Sequence, residues 1–72
     1  MTRLPRLTAA EVLRKLKRAG FVIVRSSGSH LRLRNDAGRA TTVAIHSGTL
    51  KPKPLATILD QAGLAIDEFL AL

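Results

Sequence analysis

A chain of 72 residues without cysteine excludes disulfide staples and thiolate metal sites, and its 46% hydrophobic content excludes a disordered chain. The length predicts one domain over residues 1–72, and the lack of long apolar runs predicts a soluble, cytoplasmic protein with no membrane contact. The net charge is +7, and residues 1–53 hold all twelve bases and two of the five acids, a local charge of +10. Such a field attracts phosphate backbones or acidic proteins.

The first predicted element is a helix over about residues 8–19. Thr8 and Glu11 have the spacing of a capping box, in which each side chain satisfies a backbone N–H at the helix start. The apolar residues that follow recur at helical spacing, and Gly20 is a natural residue to end the helix.

Three strands are predicted next. The β-branched run 21–24 is bounded by glycine and by "SSGS", "HLRLR" alternates strictly from His30, and "TTVAIH" alternates over residues 41–46. A three-residue loop over 36–38, with Gly38 in the left-handed conformation, pairs Leu31 with Val43 and His30 with Ala44. In this register His46 is the diagonal neighbour of His30 on the polar face.

A second helix is predicted from about Pro54 to Gly63, followed by a short helical tail from about residue 66. The fold class is therefore α+β, with the order α-β-β-β-α. We expect the helices to cover one face of an antiparallel sheet. The other face then shows to water a polar set: His30, Arg32, Arg34, Thr42 and His46.

The candidate functional residues cluster around "RSSGSH". Imidazole both accepts and donates protons near neutral pH, and His30 shares its predicted face with Arg32 and Arg34, whose guanidinium groups suit phosphate. A metal site is not expected, because no cysteine exists and no carboxylate is predicted beside the two histidines. Both phenylalanines are predicted in the core, and the chain has no Tyr or Trp, so no aromatic platform is left to stack bases.

The chain resembles the HicA family of small toxins from toxin–antitoxin modules. The matching features are the first helix ending "KRAGF", Arg25 three residues before Gly28-Ser29-His30, "TTVAIH", and "LATILDQAGL" followed by "IDEFLAL". The resemblance implies a fold like that of the double-stranded-RNA-binding domain, an activity as an mRNA-cleaving ribonuclease, and a HicB-like antitoxin partner. In one departure, many members place Gly-Thr just before the second helix, where this chain has Lys53-Pro54.

By that resemblance His30 is the catalytic histidine, Gly28 and Ser29 are its motif companions, and His46 is a second acid or base or a phosphate contact. We predict a set of phosphate-binding bases: Lys17, Arg18, Arg25, Arg32 and Arg34. No metal and no small-molecule cofactor are expected. Two other functions stay open from the sequence. One is a non-catalytic binder of double-stranded RNA with the same fold, and the other is a protein-interaction module whose basic face docks an acidic partner.

Overall fold

In a computed structural model, which describes residues 4–45 and 48–72, the chain folds in the order helix, three strands, two helices. The elements are α1 (Ala9–Arg18), β1 (Val22–Ser27), β2 (His30–Arg34), β3 (Ala40–Ala44), α2 (Pro52–Ala62) and α3 (Ile66–Leu70). The strands form one antiparallel sheet in the order β1-β2-β3. This confirms the predicted α+β order.

The first helix follows the predicted capping chemistry. The Glu11 backbone N–H donates to the Thr8 hydroxyl oxygen at 3.2 Å, and the Thr8 backbone N–H donates to Glu11 Oε1 at 3.2 Å. The Thr8 backbone N–H, and after it the Thr8 hydroxyl, which donates to Glu11 Oε1 at 3.0 Å, hold the pKa of the Glu11 carboxyl below its usual value. The capping box predicted from the sequence is therefore confirmed.

The hairpin of β2 and β3 has the predicted register. Leu31 pairs with Val43, and His30 pairs with Ala44. Gly38 has φ +84°, and the Asn35 N–H donates to the Arg39 carbonyl oxygen at 3.0 Å to close the three-residue loop. The loop length therefore fixed the pairing, as expected for a hairpin.

The core lies on one side of β2 and β3. Leu33 and Val43 face it from the sheet, Val12 and Leu16 enter it from α1, and Phe69 from α3 fills it. Thr41 is the one fully buried polar side chain among the described residues, and its hydroxyl donates to Gln61 Oε1 at 2.8 Å. The bond satisfies the buried group and ties β3 to α2.

The boundaries of two strands differ from the prediction. The first strand is Val22–Ser27 rather than 21–24, and Phe21 precedes it as a buried core residue. The third strand begins at Ala40 and ends at Ala44 rather than spanning 41–46; Ile45 follows the strand, and His46 lies outside the described residues. The helices pack on one face of the sheet, as predicted, and leave every residue of β1 exposed.

The second helix starts two residues earlier than predicted. Lys51 is its N-cap and Pro52 its first residue, since proline fits a position whose N–H needs no partner. Lys53-Pro54 therefore lies inside the first turn of α2 and not before the helix. Gly63 ends α2 in the left-handed conformation at φ +73°, as predicted.

Candidate functional site

The segment Ser27–His30 is a tight turn that places the histidine at the start of β2. Ser27 pairs with His30, and the two residues between them form the loop. Gly28 has φ +58° and Ser29 does not have a positive φ, the arrangement of a type II′ hairpin turn, which takes glycine first. A Cβ at Gly28 would touch nothing, so the turn geometry rather than a crowded neighbour requires the glycine. The Ser29 carbonyl oxygen also accepts from the Ile45 N–H at 2.6 Å.

An irregularity in β1 decides where Arg25 points. Ile23 pairs with Leu33, yet Arg25 pairs with Arg32, so Val24 is an extra residue in the ladder. Directly paired residues project on the same face of a sheet, and a bulge switches the faces that follow it. Without the bulge Arg25 would share the face of Leu33. The bulge therefore brings Arg25 to the side of the sheet opposite the core.

The face of the sheet opposite the core, here called the open face, carries the candidate site. Its rows across the three strands are Ser27–His30–Ala44, Arg25–Arg32–Thr42 and Val22–Arg34–Ala40. The predicted His30, Arg32, Arg34 and Thr42 are all exposed there, and the structure adds Arg25. Neighbouring strands lie about 4.8 Å apart and alternate residues about 7 Å apart, so the imidazole and the guanidinium groups surround one small patch.

The charges on the open face are of one sign. Arg25 and Arg32 stand directly opposite each other, a pairing of like charges that destabilises a sheet. Within 4–45 and 48–72 no carboxylate forms an ion pair with Arg25, Arg32 or Arg34. Arg32 makes one long hydrogen bond, from Nη1 to the Thr42 hydroxyl at 3.4 Å. An anion bound between the guanidinium groups would relieve this repulsion, since guanidinium groups form forked hydrogen bonds with phosphate.

Other bases have partners inside the protein. Lys15 Nζ donates to the Leu70 and Leu72 backbone oxygens at 3.3 and 3.0 Å and lies 5.8 Å from the centroid of the Phe69 ring. Arg39 Nη1 donates to the Asp60 carbonyl oxygen at 3.5 Å, at the last turn of α2. Both cations lie at helix C-termini, where the backbone dipole favours positive charge. We therefore assign Lys15 and Arg39 a structural role.

The remaining predicted bases do not join the open face. Lys17 and Arg18 are exposed at the end of α1, the helix that packs on the core side of the sheet. The sheet thus separates them from Arg25 and Arg32. The structure divides the predicted phosphate-binding set into an open-face group and a pair on the helix layer.

The structure describes one of the two predicted histidines. His30 is exposed, and no group in residues 4–45 or 48–72 hydrogen-bonds to its ring. His46, and with it the diagonal contact between the histidines, lies outside the described residues. In the part of the chain that the structure describes, no three His, Cys, Asp or Glu side chains group as a metal site.

A groove that the sequence did not predict borders the open face. It has a volume of about 520 Å³ and runs between β3 and α2, with Arg32 at its margin. One wall consists of the small open-face residues of β3, and the other of α2 residues Pro54, Thr57 and Gln61. Periodicity placed α2 over the core, but it could not show that the helix also extends past the sheet edge.

Fold and site together define a small α+β protein with an exposed histidine and a patch of arginines on an uncovered sheet face. Comparison with protein families matches residues 9–64 to the HicA toxin of bacterial toxin–antitoxin systems. The chain belongs to the HicA toxin family, and this membership implies a cognate antitoxin. A comparison with curated proteins gives no match. Among the described residues no helix has the length and hydropathy to cross a membrane. The likeness to the double-stranded-RNA-binding fold stays a prediction.

Proposed function

We propose that this protein is a metal-independent endoribonuclease that cleaves mRNA in the cytoplasm, with His30 as its catalytic residue. The observation that carries the proposal is the placing of His30, exposed and without a hydrogen-bond partner among residues 4–45 and 48–72, beside Arg25 and Arg32 on the open face. Membership of a toxin family adds support, because a nuclease acting on mRNA would stop growth.

RNA supplies its own nucleophile, the 2′ hydroxyl beside each phosphodiester. In the proposed step the 2′ oxygen bonds to phosphorus while the bond to the 5′ oxygen breaks. One proton leaves the 2′ hydroxyl and another reaches the 5′ oxygen, so the products carry a cyclic phosphate and a free 5′ hydroxyl. His30 takes or gives one of these protons, and His46 is the candidate for the other, or for a phosphate contact.

The arginines act on charge rather than on protons. Negative charge builds on the non-bridging phosphoryl oxygens in the transition state, and donors already fixed beside them stabilise it. Arg25 and Arg32 hold the phosphate nearest His30, and Arg34 contacts the adjoining one. Gly28 and Ser29 keep the histidine at the head of β2 through the turn. Lys17 and Arg18 are assigned the weaker task of attracting RNA from the helix layer.

The decisive experiment measures cleavage of an mRNA by the wild type and by His30→Ala. We expect His30→Ala to keep the fold and RNA binding and to lose about 10²–10⁴-fold in cleavage rate. The double variant His30→Ala/Ala37→His, which restores the histidine count at the far end of the hairpin, is the matched control and should stay inactive. Full cleavage by His30→Ala would overturn the assignment.

Two further measurements separate the proposal from other functions. Substitution of 2′-deoxy nucleotides at the cleaved positions should abolish cleavage, and EDTA should leave it unchanged. Loss of cleavage with EDTA and recovery with a divalent ion would mean a metal enzyme. Binding to duplex RNA without cleavage at any protein concentration would mean a non-catalytic binder.

We propose a HicB-like antitoxin with an acidic surface as the partner that covers the open face. The arginine patch offers charge complementarity, which speeds encounter and selects the partner. Val22, Ile23 and Val24 of the adjoining edge strand β1 are 60%, 41% and 53% exposed, apolar area that an interface would bury. Co-expression with the neighbouring gene should restore growth, and the purified complex should not cleave RNA. A complex that cleaves at the full rate would contradict this arrangement.

A further inference from the structure

The groove between β3 and α2 has the volume and lining of a site for a small, partly polar molecule. Its strand wall is made of Ala40, Thr42 and Ala44, three small side chains that leave depth beside the helix. Leu50 and Ile58 contribute to the lining and are 8% and 4% exposed, so they provide its apolar base. The volume of about 520 Å³ lies within the range of small-ligand sites.

The groove also presents polar groups with free hydrogen-bonding capacity. Gln61 Oε1 accepts from the buried Thr41 hydroxyl at 2.8 Å, which fixes the amide and leaves its NH₂ group to donate. The Thr57 hydroxyl donates to the Lys53 carbonyl oxygen at 3.2 Å, so its oxygen lone pairs are free to accept. A donor and an acceptor one helical turn apart therefore stand over an apolar base.

The groove adjoins the arginine patch directly. Arg32 and Thr42 belong both to its lining and to the row that holds Arg25, and Ala44 pairs with His30. A ligand in the groove is thus next to the place where a phosphodiester would sit. A nucleoside attached to that phosphodiester carries a base with apolar flat faces and a polar edge, which matches this lining.

The protein has no exposed aromatic ring on which a base could stack. It contains no Tyr or Trp, and its two phenylalanines, Phe21 and Phe69, are 2% and 0% exposed. Single-stranded RNA is commonly recognised through bases that stack on aromatic rings and hydrogen-bond through their edges. Here an apolar groove with fixed polar groups replaces the aromatic platform, and Arg32 contributes a guanidinium group to its lining.

We propose that this groove binds the nucleobase adjoining the scissile phosphate, with Gln61 and Thr57 as its specificity-determining residues. The inference rests on the proposed ribonuclease function and adds to it a second subsite, which binds a nucleobase of the RNA. The Gln61 donor and the Thr57 acceptor stand in a fixed order, and the four bases differ in the order and spacing of the polar groups on their edges. The site therefore prefers some nucleotides at one position of the cleaved sequence.

The first test is a titration of the wild-type protein with each of the four nucleoside monophosphates and with inorganic phosphate, followed by NMR amide shifts. We expect nucleotides to shift the Ala40 and Thr57 signals and to differ in affinity, while phosphate alone shifts only the Arg25 and Arg32 signals. Thr57→Leu, which fills the groove, should abolish the Ala40 shift. Ala56→Leu, an exposed α2 position outside the lining, is the matched control and should leave it unchanged. Identical shifts with phosphate and with all nucleotides would overturn the proposal.

The second test maps the cleavage sites in a pool of RNA with random sequence. Thr57→Val and Thr41→Val/Gln61→Met should weaken the base preference about fivefold to tenfold at one position while cleavage continues. The double variant removes both members of the buried hydrogen bond, so no unpaired Thr41 hydroxyl is left behind. An unchanged site preference in an active variant would refute the groove but not the ribonuclease. Base-selective binding by a protein that cleaves no RNA would refute the ribonuclease but not the groove.

Discussion

The open face and the helix layer use basic residues in opposite ways. On the helix side, Lys15 of α1 and Arg39 just before β3 donate to backbone oxygens at the ends of α3 and α2, so these two cations have partners inside the protein. On the open face Arg25 lies opposite Arg32, and no carboxylate in residues 4–45 or 48–72 forms an ion pair with either. A surplus of positive charge therefore indicates a binding surface only where the cations have no hydrogen-bond partners inside the protein.

We expect the core between the helices and the sheet to contribute most of the stability, and the exposed strand β1 to contribute little. Phe69→Ala removes a fully buried ring and should lower the free energy of unfolding by about 3–5 kcal/mol. The matched change on the exposed edge strand, Val24→Ala, should cost less than about 1 kcal/mol. Urea denaturation followed by circular dichroism measures both values. A cost for Val24→Ala equal to that for Phe69→Ala would mean that β1 is packed in solution.

The contact of Arg39 with Gly63 gives the next largest effect. A Cβ on Gly63 would lie 2.8 Å from Arg39 Cζ, and its φ of +73° disfavours any side chain. Gly63→Ala should therefore destabilise the protein by about 1–2 kcal/mol from the backbone conformation, with a small further cost because the flexible Arg39 side chain must shift away from the Asp60 carbonyl oxygen. In the double variant Arg39→Ala/Gly63→Ala the contact is gone, so the total should be smaller than the sum of the single effects. Simple additivity would contradict the contact.

Two lysines of α1 allow a comparison between a cation that has hydrogen-bond partners inside the protein and one that is exposed. Lys15→Met removes the hydrogen bonds to the end of α3 and should cost about 1.5 kcal/mol. Lys17→Met removes an exposed cation with no such contact and should change stability by less than about 0.5 kcal/mol. Thermal unfolding compares the two variants directly. Equal losses would show that the α3 contact contributes nothing.

The capping box of α1 predicts that the free energy of unfolding depends on pH. The pKa of Glu11 is lowered in the folded protein, so its hydrogen bonds stabilise the fold above the unfolded value of 4.5. That stability is lost as the pH falls through the lower folded pKa. Thr8→Ala should cost about 1 kcal/mol at neutral pH and should flatten this part of the pH profile. Urea denaturation between pH 3 and 6 measures this dependence in the wild type and in Thr8→Ala. The same pH dependence in both proteins would mean that the capping box does not cause it.

The smallest effect on stability should come from the arginine patch. Arg25→Ala removes one of two opposed like charges and should leave the free energy of unfolding unchanged or slightly higher. RNA affinity should fall, and the slope of log affinity against log salt should shrink by about 0.7 for a lost phosphate contact. The control is Arg39→Ala, which should lose stability but keep the salt slope. A smaller salt slope for Arg39→Ala, together with a loss of stability for Arg25→Ala, would contradict the roles assigned to the two arginines.

Much of the fold could be read from short segments of sequence. The capping box at Thr8 and Glu11, the Gly38 loop with its register, and Gly63 at the end of α2 each depend on contacts between residues close in the chain. The exposed His30 on a polar strand face follows from the alternation of "HLRLR". Boundaries were less accurate, because either Pro52 or Pro54 suits the first turn of a helix, and the helix begins at Pro52.

The position of Arg25 and the groove could not be predicted in this way. Alternation along an edge strand gives no sign of the bulge at Val24, and the groove depends on where α2 lies relative to β3. Lys15 and Lys17 are chemically alike in sequence, and they differ only because the end of α3 lies beside Lys15.

The sequence by itself determined the element order, the hairpin register, the surplus of positive charge and the exposed histidine, because each follows from local conformational preference or from composition. Only the tertiary structure decided which cations are engaged, which side of the sheet Arg25 occupies and where a ligand-sized groove opens. These features depend on residues distant in the chain meeting in one place, which periodicity does not encode.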